Sequence, residues 1–299
     1  MERNFGEAVA RAFWRNAAEQ AKGWARPASI YDSPGHAFRG HRAWRIATTT
    51  DLTFLGTRGE IDIRSRQHRR HSAALVRSGD ARIMIDCGKD WLRLLKTVAP
   101  TAIVLTHAHA DHAWGLAKGA PCPVYATKAT WALLDRFPIR DRREMPSHKS
   151  IMIGGVRFRA FPVQHSLRAP AVAYRLSAGR STLFYVPDVA WLPNAVKTLH
   201  GIEVYVGDGA TIKRSMVRRR GKVLIGHAAI TTQLDWCKKA GVEQAVFTHC
   251  GSQIVRGDAR RLDALIRGLG RDYGIVARLA HDGARLRFPL SSPQVRALP

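Results

Sequence analysis

Acidic residues are scarce in this chain, with 23 Asp and Glu against 48 Lys and Arg among 299 residues. The resulting formal net charge of +25 favours polyanionic partners through counterion release and speeds encounter with any phosphate-bearing substrate. Cysteine is scarce too. Cys87, Cys122, Cys237 and Cys250 lie far apart with no paired spacing, which excludes a disulfide framework and reads as reduced thiols of a cytoplasmic protein. No apolar run approaches the roughly 20 residues that span a bilayer, so no transmembrane helix is expected. Glu2, Arg3, Glu7, Arg11, Arg15 and Glu19 interrupt the first residues, and a secretory signal is not expected there either.

What is present is an ordinary hydrophobic share of 45%, enough for a sizeable core. Phe5, Val9, Ala12 and Phe13 form an apolar stripe that predicts an amphipathic helix over residues 1 to about 25. Pro27, Ser29, Pro34, Gly35 and Gly40 then mark an irregular stretch. Residues 1–50 are thus expected to be an extension that packs on its own domain or makes a dimer contact. Residues 51–290 should form one catalytic domain, and 291–299 a tail.

From Asp51 onward, short β-branched and aromatic runs alternate with glycine-bounded turns and helical segments, which predicts an α/β fold. The expected elements include a hairpin over Ala73–Val76 and Arg82–Ile85 and a helix from Trp91 to Val98. Strands are expected over Ser150–Ile153, Val156–Pro162, Ala171–Leu176, Thr182–Val186, Ile202–Val206 and Gln244–Thr248. Helices over Thr231–Ala240 and Ala259–Leu269 precede a last hairpin turning at His281-Asp282-Gly283.

The centre of the chain is Val104-Leu105-Thr106-His107-Ala108-His109-Ala110-Asp111-His112, where three histidines and an aspartate follow a short apolar run. That places them in a loop at the C-terminal end of a strand. His107 and His109 are two apart, so an extended backbone points both to one side, while Asp111 and His112 can serve an adjacent position. Imidazole and carboxylate together suit a borderline divalent ion such as zinc. The pattern of apolar run followed by ligand type recurs at His165, Asp188, His227 and His249. A lone histidine is more often a satisfied core group; a series of them at strand ends is not.

This ordered set, with an unbroken His-x-His-x-Asp-His, resembles the metallo-β-lactamase-fold hydrolases from about Thr50 to Phe288. The resemblance implies a four-layer αββα sandwich and a two-metal site. His107, His109 and His165 would hold one ion, Asp111, His112 and His249 the other, and Asp188 would bridge them, with Asp111 also orienting the nucleophile. Two zinc ions are expected, although manganese or iron suits the same donors. An aspartate at position 188, where the true β-lactamases carry cysteine, turns the expectation away from penicillin hydrolysis. His227, a helix and a strand before the last ligand, resembles the phosphodiesterase branch that contains the tRNA 3′-processing endonucleases and the cyclic phosphate phosphodiesterases. In that branch it would act on the phosphorane-like charge or the leaving oxygen.

The interval from His165 to Asp188 is filled by two strands and a turn, leaving no room for the RNA-gripping arm of the tRNA enzymes. Residues 56–72 lack the cysteine-rich zinc loop of some phosphonate-pathway relatives. Compact spacing therefore favours a cyclic phosphate, and the net charge favours nucleic acid. Arg58, Arg70 and His71 are the expected substrate-binding residues, and the basic loop 213–222 is a further candidate for phosphate contact. A lactonase or thioesterase on the same fold, and a non-catalytic nucleic-acid-binding relative, are the alternatives. The complete ligand set weighs against the second.

Overall fold

The computed structural model describes residues 50–179 and 181–288. The N-terminal helix, the irregular stretch after it and the tail from 291 lie outside those residues.

The chain first forms β1 (Thr50–Gly56), β2 (Ala73–Ser78), β3 (Ala81–Ile85), α1 (Leu95–Val98), β4 (Ala102–Val104) and α2 (Ala110–Ala113). It continues through β5 (Val124–Ala126), α3 (Lys128–Leu133), β6 (Arg142–Glu144), β7 (Ser150–Ile153), β8 (Val156–Val163), β9 (Ala171–Ala178) and β10 (Ser181–Tyr185). Next come α4 (Ala195–Leu199), β11 (Val204–Asp208), the small hairpin of β12 (Arg218–Arg220) and β13 (Val223–Ile225), α5 (Ile230–Ala240) and β14 (Gln244–Thr248). The helices α6 (Ser252–Arg256) and α7 (Ala259–Tyr273) lead to β15 (Val276–Leu279) and β16 (Arg285–Phe288).

The strands make two seven-stranded sheets, ordered β16-β1-β2-β3-β4-β5-β6 and β15-β14-β11-β10-β9-β8-β7. The two-residue side-chain period explains how they stack. In β2, Ala74 and Val76 point inward with Leu52, Phe54, Phe158, Tyr174 and Val206, forming the core between the sheets. Their neighbours Ala73 and Leu75 point outward and pack with Met84, Trp91, Leu95 and Val98. In the second sheet, Phe184, Tyr205 and Phe247 point outward beneath Leu234, Trp236 and Ile266 of α5 and α7. Apolar residues on both faces of each sheet thus require four layers, and the fold is an αββα sandwich.

Helix ends follow local chemistry. The Asp258 side chain accepts from the Arg261 amide at 2.9 Å and starts α7, and Gly274, left-handed at φ +73°, ends it. Among the described residues no helix is long and apolar enough to cross a membrane.

Two expected elements take other forms. The helix expected from Trp91 to Val98 is a 3-10 turn at Lys89–Trp91 followed by the single turn α1. Trp91, Leu95 and Val98 are still buried, but Ala99 turns left-handed at φ +46° before Pro100. The last hairpin is not one. β15 pairs in parallel with β14, whereas β16 pairs antiparallel with β1 in the other sheet. The turn at 281–283 therefore carries the chain between layers, and Gly283 donates to Phe54 O at 2.7 Å as it arrives.

The sheets are also joined by hydrogen bonds beside the central motif. The buried Tyr174 hydroxyl on β9 donates to Leu105 O at 2.6 Å, and the Val172 amide donates to Thr106 O at 3.1 Å. Tyr174→Phe leaves that carbonyl buried without its donor and should destabilise the fold by about 1 to 2 kcal/mol. The denaturant midpoint should fall with an unchanged m-value; an unchanged midpoint would show that this bond contributes nothing.

Candidate metal centre

The titratable residues singled out in the sequence gather at one edge of the sandwich, where parallel-running strands end. Asp86 follows β3, His107 follows β4, His165 follows β8, Asp188 follows β10 and His249 follows β14, while Asp208 ends β11. The backbone at His109 is extended (φ −63°, ψ +156°), and α2 begins directly after it. That helical turn swings Asp111 and His112 away from the side taken by His107 and His109.

Among the described residues three groups of donor atoms result, each within 4.8 Å, the third joining Asp188 and His249 to Asp208 and His227 at the rim. In the first, His107 Nε2 is 2.9 Å from His109 Nδ1, which is 3.3 Å from His165 Nε2. Asp188 Oδ2 closes the group at 3.4 Å from His107 Nε2 and 3.2 Å from His165 Nε2. In the second, Asp111 Oδ2 is 3.2 Å from His112 Nε2 and 3.1 Å from His249 Nε2, and Asp188 Oδ2 is 3.3 Å from His112 Nε2. Donors about 2.05 Å from a tetrahedral ion stand roughly 3.3 Å apart, which is the spacing in these first two groups. Asp188 is common to all three.

The hydrogen-bond directions also fit cations. His165 Nδ1 lies 3.1 Å from Gly226 O, a carbonyl that can only accept, so Nδ1 carries the proton and Nε2 presents a lone pair. Burial pushes the His165 pKa down to about 3, which keeps the ring neutral. Its lone pair thus faces the carboxylate Asp188 Oδ2, an arrangement that repels unless a cation stands between them. Burial, then the neighbouring His112 and His109, hold the His107 pKa well below its ordinary value as well. His249 Nδ1 and Asp188 Oδ1 are 2.9 Å apart but misaligned for a hydrogen bond, and both are buried without a partner, as is His112 Nε2. Buried polar atoms are seldom left this way. Nitrogen and oxygen donors without cysteine suit divalent cations.

Around these donor atoms stand further residues to which the sequence assigned no role. Asp86 accepts from the Thr106 amide at 2.8 Å and lies 2.9 Å from His112 Nδ1, so it aims His112 Nε2 inward. Asp208 does the same for His227, with Oδ2 2.8 Å from Nδ1. Its carboxylate also accepts from the amides of Val189 at 3.0 Å and Ala210 at 2.8 Å. Gln233 holds Asp208 by its main chain, accepting from the amide at 2.9 Å and donating to the carbonyl at 2.7 Å. The readable sign was the strand-end pattern itself: Asp86-Cys87-Gly88 and Gly207-Asp208-Gly209 end apolar runs as the ligands do.

His227 sits at the rim, 21% exposed, with its ring stacked on His249 at 5.6 Å between centroids. Burial lowers its pKa, but Asp208 outweighs burial and the net shift is upward. Cys250 is buried and its thiol is pushed up by burial; it joins no ligand group.

The three residues expected to bind substrate do not form a clamp. The Arg58 guanidinium is 2% exposed and meets Asp90 Oδ2 at 2.5 Å and the Ile61 carbonyl. A buried guanidinium needs such partners, and they leave it committed. His71 Nδ1 is 3.2 Å from the same carboxylate, and burial with the Arg58 charge pushes its pKa down to about 4. Arg70 lies over the Trp91 ring at 5.4 Å. Together they brace the loop after β1. Next to it, Gly59 packs so closely on the His249 ring that a Cβ would lie 3.0 Å from its Cε1. The basic loop contains the β12–β13 hairpin, whose three arginines are exposed, and it is tied to the centre by Met216 N donating to His227 O at 3.0 Å.

Residues 81–250, more than half the chain, match the beta-lactamase superfamily domain. The chain belongs to the beta-lactamase superfamily. Its sequence is similar to a ribonuclease Z of Methanopyrus kandleri, with 25% identity over 282 residues covering 79% of this chain and 97% of the relative. In structure this superfamily member resembles a diphosphatase from the PhnP family, with a TM-score of 0.63, 22% identity, and coverage of 80% of this chain and 97% of that one. It also resembles the short form of human tRNase Z, with a TM-score of 0.55, 17% identity, and coverage of 80% and 100%. These two likenesses bear on the fold.

Asp86→Asn keeps the shape but removes the charge behind His112. Divalent-metal affinity should fall roughly 10- to 100-fold in a chelator competition, with the melting of the metal-free protein little changed. Equal affinity in variant and wild type would separate Asp86 from metal binding.

Proposed function

We propose that this chain is a metal-dependent phosphodiesterase. The observation that carries the reading is His227 at the rim of the donor groups, oriented by the buried Asp208. A hydrolase acting on a lactone or thioester has less need of a second, charged acid there; a phosphodiester requires its leaving oxygen to be protonated and its extra negative charge offset.

His107, His109, His165 and Asp188 would hold one divalent ion and Asp111, His112, His249 and Asp188 the other, with zinc first by donor chemistry. Bound cations would supply Lewis acidity and hydroxide at neutral pH. The protein's own part is positional. Asp111 Oδ2 faces His112 and His249, and the carboxylate would orient the attacking water. His227 keeps Nδ1 on Asp208 and turns Nε2 to the rim, where its proton can pass to the departing oxygen. The exposed Arg218–Arg220 beside His227 offer bidentate contacts to further phosphates. The net charge of +25 and the ribonuclease Z relative favour a nucleic-acid substrate, with a cyclic phosphate as the smaller option. Four free cysteines favour a cytoplasmic enzyme on this reading.

His227→Ala should lower kcat on bis-p-nitrophenyl phosphate by about 10²- to 10⁴-fold at unchanged metal content. The sign with pH is definite. A histidine acting as an acid is competent below its pKa, and Asp208 raises that pKa, so activity should persist above pH 6.5 and fall as pH climbs through the raised value. That alkaline limb should vanish in the variant. Full activity in His227→Ala, or turnover of a lactone with none of any phosphodiester, would replace this reading with the lactonase or thioesterase one.

A further inference from the structure

A concavity of about 590 Å³ lies along the outer edge of the second sheet between α7 and β15. Its floor is apolar, made by Leu262, Ile275, Ala277 and Leu279, and its rim carries Arg260, Arg267, Arg271 and Arg278. In a helix, steps of seven and four residues return to the same face, so Arg260, Arg267 and Arg271 form one stripe about 16 Å long. Arg278 lines the groove from β15, the edge strand of its sheet.

The charges are largely uncommitted. Arg267 pairs with Asp263 at 2.5 Å, and Asp263 is the one acidic residue on the lining. Arg260, Arg271 and Arg278 are exposed and have no acidic partner among the described residues. Unpaired guanidinium groups above an apolar floor are poorly explained by stability, since exposed charges of one sign repel one another. They suit a ligand that is anionic at regular intervals and flat and apolar between, with phosphates on the arginines and bases against the floor.

The groove also lies near the metal centre in the fold. β15 pairs in parallel with β14, the strand that delivers His249, so the groove lies one strand away from a proposed ligand. At its end stand His68 and His281. The next residue, Asp282, accepts from Thr57 Oγ1 at 2.8 Å, and Thr57 O accepts from the amide of Cys250, the neighbour of His249, at 2.6 Å.

We propose that this groove holds a single-stranded stretch of nucleic acid whose remainder reaches the metal centre. It would then anchor a polynucleotide well beyond the bond that is cut, a contact that a small cyclic phosphate cannot make. The assignment builds on the phosphodiesterase reading, but binding can be measured apart from turnover.

The test is the anisotropy of a fluorescein-labelled single-stranded RNA of about 16 nucleotides, titrated with the full-length protein in EDTA at several salt concentrations. The triple variant Arg260→Gln/Arg271→Gln/Arg278→Gln is compared with wild type, with melting curves checked for equal stability. Three lost phosphate contacts at about 0.7 each should make the slope of log affinity against log salt shallower by about 2. Affinity at low salt should fall roughly 10- to 100-fold, while metal-loaded hydrolysis of bis-p-nitrophenyl phosphate stays at the wild-type rate. Equal RNA affinity and slope in the two proteins would overturn the proposal. So would wild-type protein that binds phosphatidylglycerol vesicles but no RNA. If the variant loses RNA binding and neither protein cleaves any phosphodiester, the groove assignment stands and the catalytic reading falls.

Discussion

One buried carboxylate sets the terms for the whole strand-end edge. Asp188 is 3% exposed and lies within 3.4 Å of nitrogens from His107, His112, His165 and His249. Removing such a charge from water is costly unless positive charge surrounds it. Burial holds His107 and His165 neutral, so they cannot supply that charge, while at His112 and His249 the surrounding carboxylates outweigh burial and the net shift is upward. Only cations, or protons taken up by the rings, reconcile these atoms. The position of Asp188 between two donor groups is therefore the reason to read one continuous centre and not two separate clusters.

Holding that arrangement falls to the sandwich. The donors come from loops that leave strands of both sheets, so the centre exists only when the sheets are in register. Tyr174 and Val172 of β9 bond to Leu105 and Thr106 just before His107, which ties the motif of one sheet to the backbone of the other. Close backbone contacts do similar work at Gly88, where a Cβ would lie 1.9 Å from the Asp111 carbonyl oxygen. Main-chain atoms packed so closely leave α2 little freedom to shift, and it carries two of the donors.

Charge is divided by depth. In a chain with few acidic residues, Asp86, Asp111, Asp188 and Asp208 are all buried at this one edge. They draw cations inward and orient histidines, while on the exposed surface arginine and lysine outnumber the remaining acids. A phosphate-bearing ligand thus meets positive charge on the outside, at the Arg218–Arg220 hairpin and along α7. The carboxylates beneath are matched to cations. Arg58 is the exception that explains the rule: a guanidinium drawn into the interior takes Asp90 as partner and serves the loop instead of a ligand.

The strand-end pattern of apolar run followed by histidine or aspartate was legible along the chain, because side-chain periodicity and donor chemistry are local properties. The four layers came from the family resemblance, and the structure accounts for them by strands that are apolar on both faces. Other features were not local. The turn at His281–Gly283 looks like a hairpin in sequence, and only the pairing of β15 with β14 and of β16 with β1 reveals a crossing between sheets. Asp86 and Asp208 carry the same strand-end signature as the candidate ligands, yet only the distances to His112 and His227 reveal that they orient those rings. Arg58 and His71 read as substrate contacts in sequence, and only the structure shows that both are buried against Asp90. The sequence by itself determined which chemistry was available and the kind of element that carries it. The tertiary structure decided which of those groups face one another, because burial and distance depend on residues far apart in the chain.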